Sequence, residues 1–454
     1  MGVDRGLLAC SAYAHLGITT APAAGSPGRF APMTPVQSSR RRASVPLQHA
    51  VVALVVAYPV LLLVVDGWVN TLFGLLLILS PFVLWQVDGP GTRAQLDSRR
   101  VWRYALAMAA LPFAVLLAEW ANHRWAWRFY DAPSRFLFAV PVFLAVRRLP
   151  RRRLRLIGLG FAAGAIAALV EVTLDPNRSF GPHRIGTSFL NPIHFGDLSL
   201  SLGLLAALSI DWGTRDPLWA RVLKALGLCA GLYASVLSGS RGGWVALPVL
   251  GAGWLWLHRG QIPSARLWVT AVGAVAAGVA AYLLVPEIHH RIGLIVVDLV
   301  DFRHGMDNTS VGIRFQLWRV AWMLFEQHPL FGVGPGGFKA VMPQMLQAGQ
   351  LTALAADFGR QEVHSEIMSK LSQMGVFGLA ALMSAYFVPF ALFARALPSQ
   401  DAMRRRAAEM GLALVACFVV YGLTVEIFIL SMSAAFFTLT TAVLLGVAWN
   451  DSPE

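Results

Sequence analysis

Apolar runs of roughly 17 to 25 residues recur along almost the whole chain, each long enough to cross a hydrocarbon layer about 30 Å thick. Such runs leave few folding options. Inside lipid every backbone N–H and C=O must be satisfied within its own segment, and runs far longer than the roughly ten residues of a barrel strand demand helices. Hydrophobic residues make up 56% of the 454 and charged residues 13%, with a mean hydropathy of +0.59, a balance that no soluble domain of this size tolerates. The formal net charge of +13 does not point to nucleic acid, because the basic residues lie in short loops between apolar runs rather than on one soluble face. Cys229 and Cys417 fall inside apolar runs and Cys10 near the start, which indicates neither a disulfide framework nor a zinc site.

The pattern predicts an all-α, polytopic membrane protein of about twelve transmembrane helices with one long periplasmic loop. Residues 1–46, rich in Ala, Pro, Ser and Gly and closing on Arg40, Arg41 and Arg42, read as a disordered cytoplasmic tail without the apolar core of a signal peptide; Met33 is an alternative start. Transmembrane helices one to nine are expected within 47–285, at 49–66, 69–87, 103–121, 134–147, 154–174, 194–211, 221–238, 243–258 and 267–285. The loop at 286–364 follows, and helices ten to twelve, at 365–394, 408–428 and 431–449, occupy 365–454. Alternate loops carry the arginine clusters Arg93, Arg99 and Arg100, then Arg147 to Arg155, then Arg404 to Arg406, and are therefore cytoplasmic. The remaining loops face out, on the side expected to be the periplasm of a bacterial inner membrane. Within 286–364, Ile313, Leu317, Val320, Ala321 and Leu324 recur at helical spacing, predicting an amphipathic helix on the membrane surface over 311–326; Gly332 to Gly337 breaks the chain before a second short helix near 341–350.

The residues suited to chemistry sit on the periplasmic side. Arg241 lies in the turn Gly239-Ser240-Arg241-Gly242-Gly243, where a cation near hydrocarbon is costly unless it snorkels or meets an anion. The glycines let the backbone approach a bulky ligand, Ser240 donates a hydrogen bond, and a guanidinium grips phosphate bidentately; the alternative is a small-residue turn with an interfacial arginine. Arg314 follows Asn308-Thr309-Ser310 with Arg319 one to two turns on, as further phosphate ligands or as arginines set among lipid headgroups. His364, in Glu362-Val363-His364-Ser365-Glu366, stands where the loop ends and a helix begins. The helix dipole keeps its ring neutral there, the form a general base needs, although an interfacial histidine also serves purely structural ends. Arg178 and Arg184 add cationic donors from the loop ahead of Asn191-Pro192, or bind anionic headgroups. There is no paired-carboxylate or His/Glu metal spacing facing outward, and the glycine loop at 332–337 lacks the Lys-Ser/Thr of a P-loop. What remains is an anion site made of arginines, with no metal and no cofactor.

Gly239-Ser240-Arg241-Gly242-Gly243, Gly312-Ile313-Arg314 with Trp318, His328-Pro329-Leu330-Phe331-Gly332-Val333-Gly334, and His364-Ser365-Glu366 with Gly375-Val376-Phe377-Gly378 resemble, in order, the O-antigen ligase and polymerase superfamily of polytopic envelope proteins. The resemblance covers roughly residues 180–380. It implies a C-type glycosyltransferase fold and a metal-independent, inverting enzyme with an undecaprenyl-pyrophosphate-linked glycan as donor and, in the ligase branch, lipid A–core as acceptor. By motif, Arg241 and Arg314 would hold the pyrophosphate and His364 would deprotonate the acceptor. Many relatives have His-Asn where this chain has His364-Ser365, which leaves the hydrogen-bonding partner of the ring open. The competing functions are an O-antigen polymerase, a protein O-oligosaccharyltransferase, and a lipid-linked oligosaccharide flippase; charges inside the spans would favour the last, and Glu119, Glu171 and Glu426 all lie near span ends.

Overall fold

The apolar runs become helices because a helix satisfies its own backbone wherever no water can. The computed structural model describes residues 44–87, 98–177, 179–181, 184–260 and 262–450, so most of the expected tail lies outside it. Among the described residues there is no strand, and one isolated bridge joins Asn177 to Gly186. The chain opens with α1 (Val45–Leu61), α2 (Trp68–Val87), α3 (Ser98–Asn122) and α4 (Asp131–Val146), then a single turn, α5 (Arg151–Leu154), and α6 (Ile157–Leu174). Next come α7 (Pro192–Leu208), α8 (Leu218–Ser238), the four-residue α9 (Arg241–Trp244), α10 (Ala246–His258) and α11 (Ser264–Leu284). Four helices fill the following segment: α12 (Pro286–Arg303), α13 (Ser310–Gln327), α14 (Gly337–Gln347) and α15 (Ala353–Gly359). The chain then runs through α16 (Glu366–Ala394), α17 (Ala402–Gly422) and α18 (Ser431–Ala448).

A helix overlies every expected span, but among the described residues eight helical stretches are long and apolar enough to cross a membrane: α2, α3, α4 with the turn before it (Trp127–Val146), α6 with α5 (Arg151–Leu174), α8, α11, α16 and α18. The other four fall short for separate reasons. α1 and α7 have 17 residues each, α17 opens on Arg404, Arg405 and Arg406, and α10 has 13 residues, which at 1.5 Å per residue reach only about 20 Å. Long-range hydrogen bonds sort the loops into two ends. At one end Arg151 pairs with Asp401, Trp212 Nε1 donates to the Met403 carbonyl at 2.9 Å, and Asn450 donates to the Leu149 carbonyl at 2.8 Å, so the arginine-rich connections gather there. At the other, Asn70 donates to Ser431 at 3.2 Å and Asn122 to the Gly332 carbonyl at 3.3 Å. α18 is buried along almost its whole length, whereas no residue of α11 is buried.

The segment 286–364 is more helical than its sequence implied. α12 is unforeseen, and the second short helix begins at Gly337 rather than near 341, because Gly336 turns the chain at φ +76°. The expected apolar stripe of α13 is buried, but its cover is protein: Ile313, Leu317, Val320, Ala321 and Leu324 pack with Phe338 and Met342 of α14 and Ala355 and Ala356 of α15. The apolar stripe thus belongs to a small second core, while Phe315 and Trp322 on the same helix stay exposed.

One joint fixes this segment to the bundle. α16 breaks at Gly375, whose φ of +62° and ψ of −152° leave the helical range. The connection after α13 inserts at the break, where Val376 N–H donates to the Pro329 carbonyl at 2.8 Å and Val333 N–H to the Ser372 carbonyl at 2.9 Å. A Cβ on Gly375 would lie 2.3 Å from the Leu330 carbonyl oxygen, and one on Gly332 would lie 2.3 Å from the Gln373 backbone. Gly375→Ala should therefore destabilise the fold by about 2 kcal/mol or more, read as a melting midpoint several degrees lower for the purified protein; an unchanged midpoint would show that the joint carries no weight.

Candidate active site

The chain places its arginines by ending helices. α8 stops at Ser238 because Gly239 adopts φ +63°, and Ser240 then leads into the short α9, which starts on Arg241. Gly242 and Gly243 allow a close approach, but to the protein itself: a Cβ would meet Thr424 Oγ1 at 2.4 Å or Asp197 Oδ1 at 2.3 Å. Ser240 is buried beside them and donates toward Asp197 at 3.5 Å, a long and weak bond. Arg314 lies in the first turns of α13, which Thr309 caps by accepting from Gly312 N–H at 3.0 Å. Arg184 comes from the connection between α6 and α7, held by the pairing of Asn177 with Gly186 and by Asn191 capping α7.

These side chains meet at a cavity of about 390 Å³ lined by Arg184, Ser240, Arg241, Arg291, Asp298, Asn308, Ser310, Arg314, Phe358, His364 and Thr424, among others. Arg241 pairs with Asp298 at 2.8 Å and donates to the Arg291 carbonyl at 3.3 Å. Arg314 reaches Ser310 Oγ at 3.3 Å. Among the described residues Asp298 is the only carboxylate in the lining, against four arginines. The crowding registers in their proton affinity. Burial first, then Arg291 and Arg241, lowers Arg184 from its ordinary value; burial, then Arg241 and Arg184, lowers Arg314; and burial, then Arg241, lowers Arg291. All stay cationic, so the cavity holds more positive charge than its own carboxylate offsets, which is the condition for capturing a multiply charged anion.

His364 closes one wall. Its backbone sits at φ +57°, an uncommon conformation for a residue with a side chain, and Ser365 behind it caps α16 by accepting from Met368 N–H at 3.4 Å. Its Nδ1 lies 3.1 Å from Glu362 Oε1, within ion-pair reach though not aligned as a hydrogen bond, and Nε2 makes no hydrogen bond among the described residues. Burial pushes Glu362 up, but the His364 ring beside it, followed by His194, outweighs it and holds the carboxyl down to about 2. Glu426 responds the other way: burial dominates and raises it to about 7, against the pull of Lys370. Glu362 accepts from Glu426 N–H at 3.0 Å and Glu426 accepts from Val363 N–H, so the two carboxylates lock the chain before His364 to the end of α17. Among the described residues no trio of His, Cys, Asp or Glu is arranged to hold a metal ion.

Of the residues singled out from the sequence, the structure brings Arg184, Ser240, Arg241, Arg314 and His364 to one cavity. Arg319 is exposed and outside the lining, since five residues along a helix carry it about 140° around the axis from Arg314. Arg178 lies outside the described residues. Arg291 and Asp298 were missed because they stand on α12, within what read as a loop. Their spacing of seven residues, two turns on one helical face, was the available signal.

Residues 225–383 match the family model described as O-antigen ligase. The match takes in Arg241, Arg291, Asp298, Arg314, Glu362 and His364, and supports the superfamily resemblance that the motifs carry. An uncharacterized protein of Haemophilus influenzae is 23% identical over 279 residues, 60% of this chain and 67% of its own length. With eight long apolar helical stretches among the described residues, the match describes a multi-pass membrane protein similar to O-antigen ligases.

If Asp298 occupies Arg241 in place of a substrate phosphate, Asp298→Asn should bind inorganic pyrophosphate about tenfold more tightly than the wild type in calorimetric titration, and Arg241→Ala more weakly. Equal affinity in Asp298→Asn and wild type would contradict the exchange.

Proposed function

We propose that this protein is a metal-independent, inverting glycosyltransferase of the O-antigen ligase type, moving a glycan from undecaprenyl pyrophosphate to lipid A–core. The observation that carries the reading is the convergence of Arg184, Arg241, Arg291 and Arg314 with His364 on one cavity. The arginine-rich connections gathered at the opposite end support, by the positive-inside rule, a cavity that faces the periplasm from an inner membrane crossed by the eight long apolar helices and by the four shorter or more charged ones beside them. The segment 286–364 is then periplasmic. There the lipid-linked donor would present its pyrophosphate to the arginines while its polyprenyl chain stays in the bilayer.

Charge explains why so many guanidiniums are useful. A pyrophosphate diester carries one negative charge on each phosphate, and a further charge develops on the phosphate that leaves the sugar. Guanidiniums already in place strengthen their hold as that charge grows, which lowers the barrier instead of merely tightening substrate binding. His364 takes the proton of the acceptor hydroxyl through a ring nitrogen. The acceptor oxygen attacks the anomeric carbon from the face opposite the pyrophosphate, the carbon–oxygen bond to phosphate breaks, and the pyrophosphate departs with the electron pair.

Purified protein incubated with undecaprenyl-pyrophosphate glycan and lipid A–core should slow the gel migration of lipid A–core, in EDTA as in its absence. Arg241→Ala and Arg314→Ala should each lower the rate by about a hundredfold or more. His364→Gly should abolish transfer in a protein that still folds, because glycine accepts φ +57° without strain. Lengthening of the lipid-linked glycan alone would make the protein a polymerase, glycosylated protein would make it a protein ligase, and no product from a folded sample would overturn a transferase in favour of a flippase.

A further inference from the structure

The connection between α15 and α16 brings a buried carboxylate to the ring of His364 from only two residues upstream. This is possible because the chain reverses at His364, whose positive φ turns the imidazole back toward Glu362 instead of carrying it on into α16. Glu362 is itself fixed. Its other oxygen accepts the Glu426 N–H at 3.0 Å, and its side chain is 8% exposed, so it has little freedom to seek another partner. Trp318 Nε1 donates to the His364 carbonyl at 3.2 Å, tying the turn to α13, which also carries Arg314. Ser365, which stands where relatives place asparagine, is occupied as the cap of α16 and does not serve the ring.

We infer that Glu362 is the positioning residue of His364, accepting the Nδ1 hydrogen so that Nε2 is the nitrogen left to take the acceptor proton. The inference rests on the transfer reaction proposed above and adds the partner that the motif leaves open. The order of events keeps charge balanced: the acceptor proton passes to Nε2, the ring becomes imidazolium, and the Glu362 carboxylate beside Nδ1 stabilises that cation without taking the proton. A carboxylate held well below its ordinary value stays ionised throughout. The other charged groups around the pair are His194 on α7, Glu426 after α17, Glu366 on α16 and Arg314 on α13, and they remain in place when Glu362 alone is changed.

A carboxylate beside Nδ1 fixes the tautomer and the orientation of the ring, so replacing it must change how readily Nε2 presents its lone pair. The test uses the full-length protein in detergent. The rate of His364 carbethoxylation by diethyl pyrocarbonate, which attacks a ring nitrogen carrying a lone pair, is followed by peptide mass spectrometry in wild type, Glu362→Gln and Glu362→Asp. The rate should fall severalfold in Glu362→Gln and by less in Glu362→Asp. In the transfer assay Glu362→Gln should lower kcat by roughly tenfold or more with KM little changed, and Glu362→Asp should regain part of the rate. Identical modification rates in wild type and Glu362→Gln would overturn the role of Glu362 while leaving the transfer reaction intact. A changed modification rate in a protein that transfers nothing would uphold the pairing and sink the transferase.

Discussion

Repulsion among like charges is the constraint on which the organisation of this protein turns. Two unit charges about 8 Å apart repel by on the order of 2 kcal/mol at an effective dielectric near 20, and the cavity gathers four guanidiniums with one carboxylate among them. A fold tolerates this only where each arginine is anchored from outside. Arg184 hangs from the connection before α7, Arg241 starts α9, Arg291 stands on α12 and Arg314 on α13, four separate elements whose packing is settled elsewhere. Asp298 offsets part of the charge through its pair with Arg241.

The rest of the fold can be read as the means of holding those anchors. The break in α16 at Gly375 admits the connection after α13, and the small core under α13 keeps Arg314 pointed at the cavity. The carboxylates Glu362 and Glu426 bind the turn before His364 to the end of α17. The glycines of several of the motifs are therefore architectural. Gly332 and Gly375 exist for a backbone crossing that a methyl group would block, and Gly242 and Gly243 bring α9 against Thr424 and Asp197.

Much of this was legible in the sequence, for identifiable reasons. Hydrophobic run length is read through the need to satisfy the backbone in lipid, so a helix overlies each expected span even where α7 and α10 proved short. Arg241, Arg314 and His364 stood out because a charged or titratable residue next to glycine or at a helix start needs a reason to be there. Arg291 and Asp298 did not, because the loop composition around them hid the helix whose two turns put them on one face. Arg319 misled for the converse reason: nearness along the chain is not nearness in space when the intervening turn is helical. The partner of His364 lay two residues away in plain view, but the reversal at φ +57° that joins them is a backbone fact.

The most direct test of the account is to locate the donor's phosphates, by determining the structure of the protein bound to undecaprenyl pyrophosphate in a lipid nanodisc. The account predicts both phosphates within the cavity, contacted by Arg184, Arg241, Arg291 and Arg314, with Asp298 withdrawn from Arg241 and the polyprenyl chain leaving toward the bilayer. Phosphates bound elsewhere, with the Arg241–Asp298 pair still closed, would contradict it.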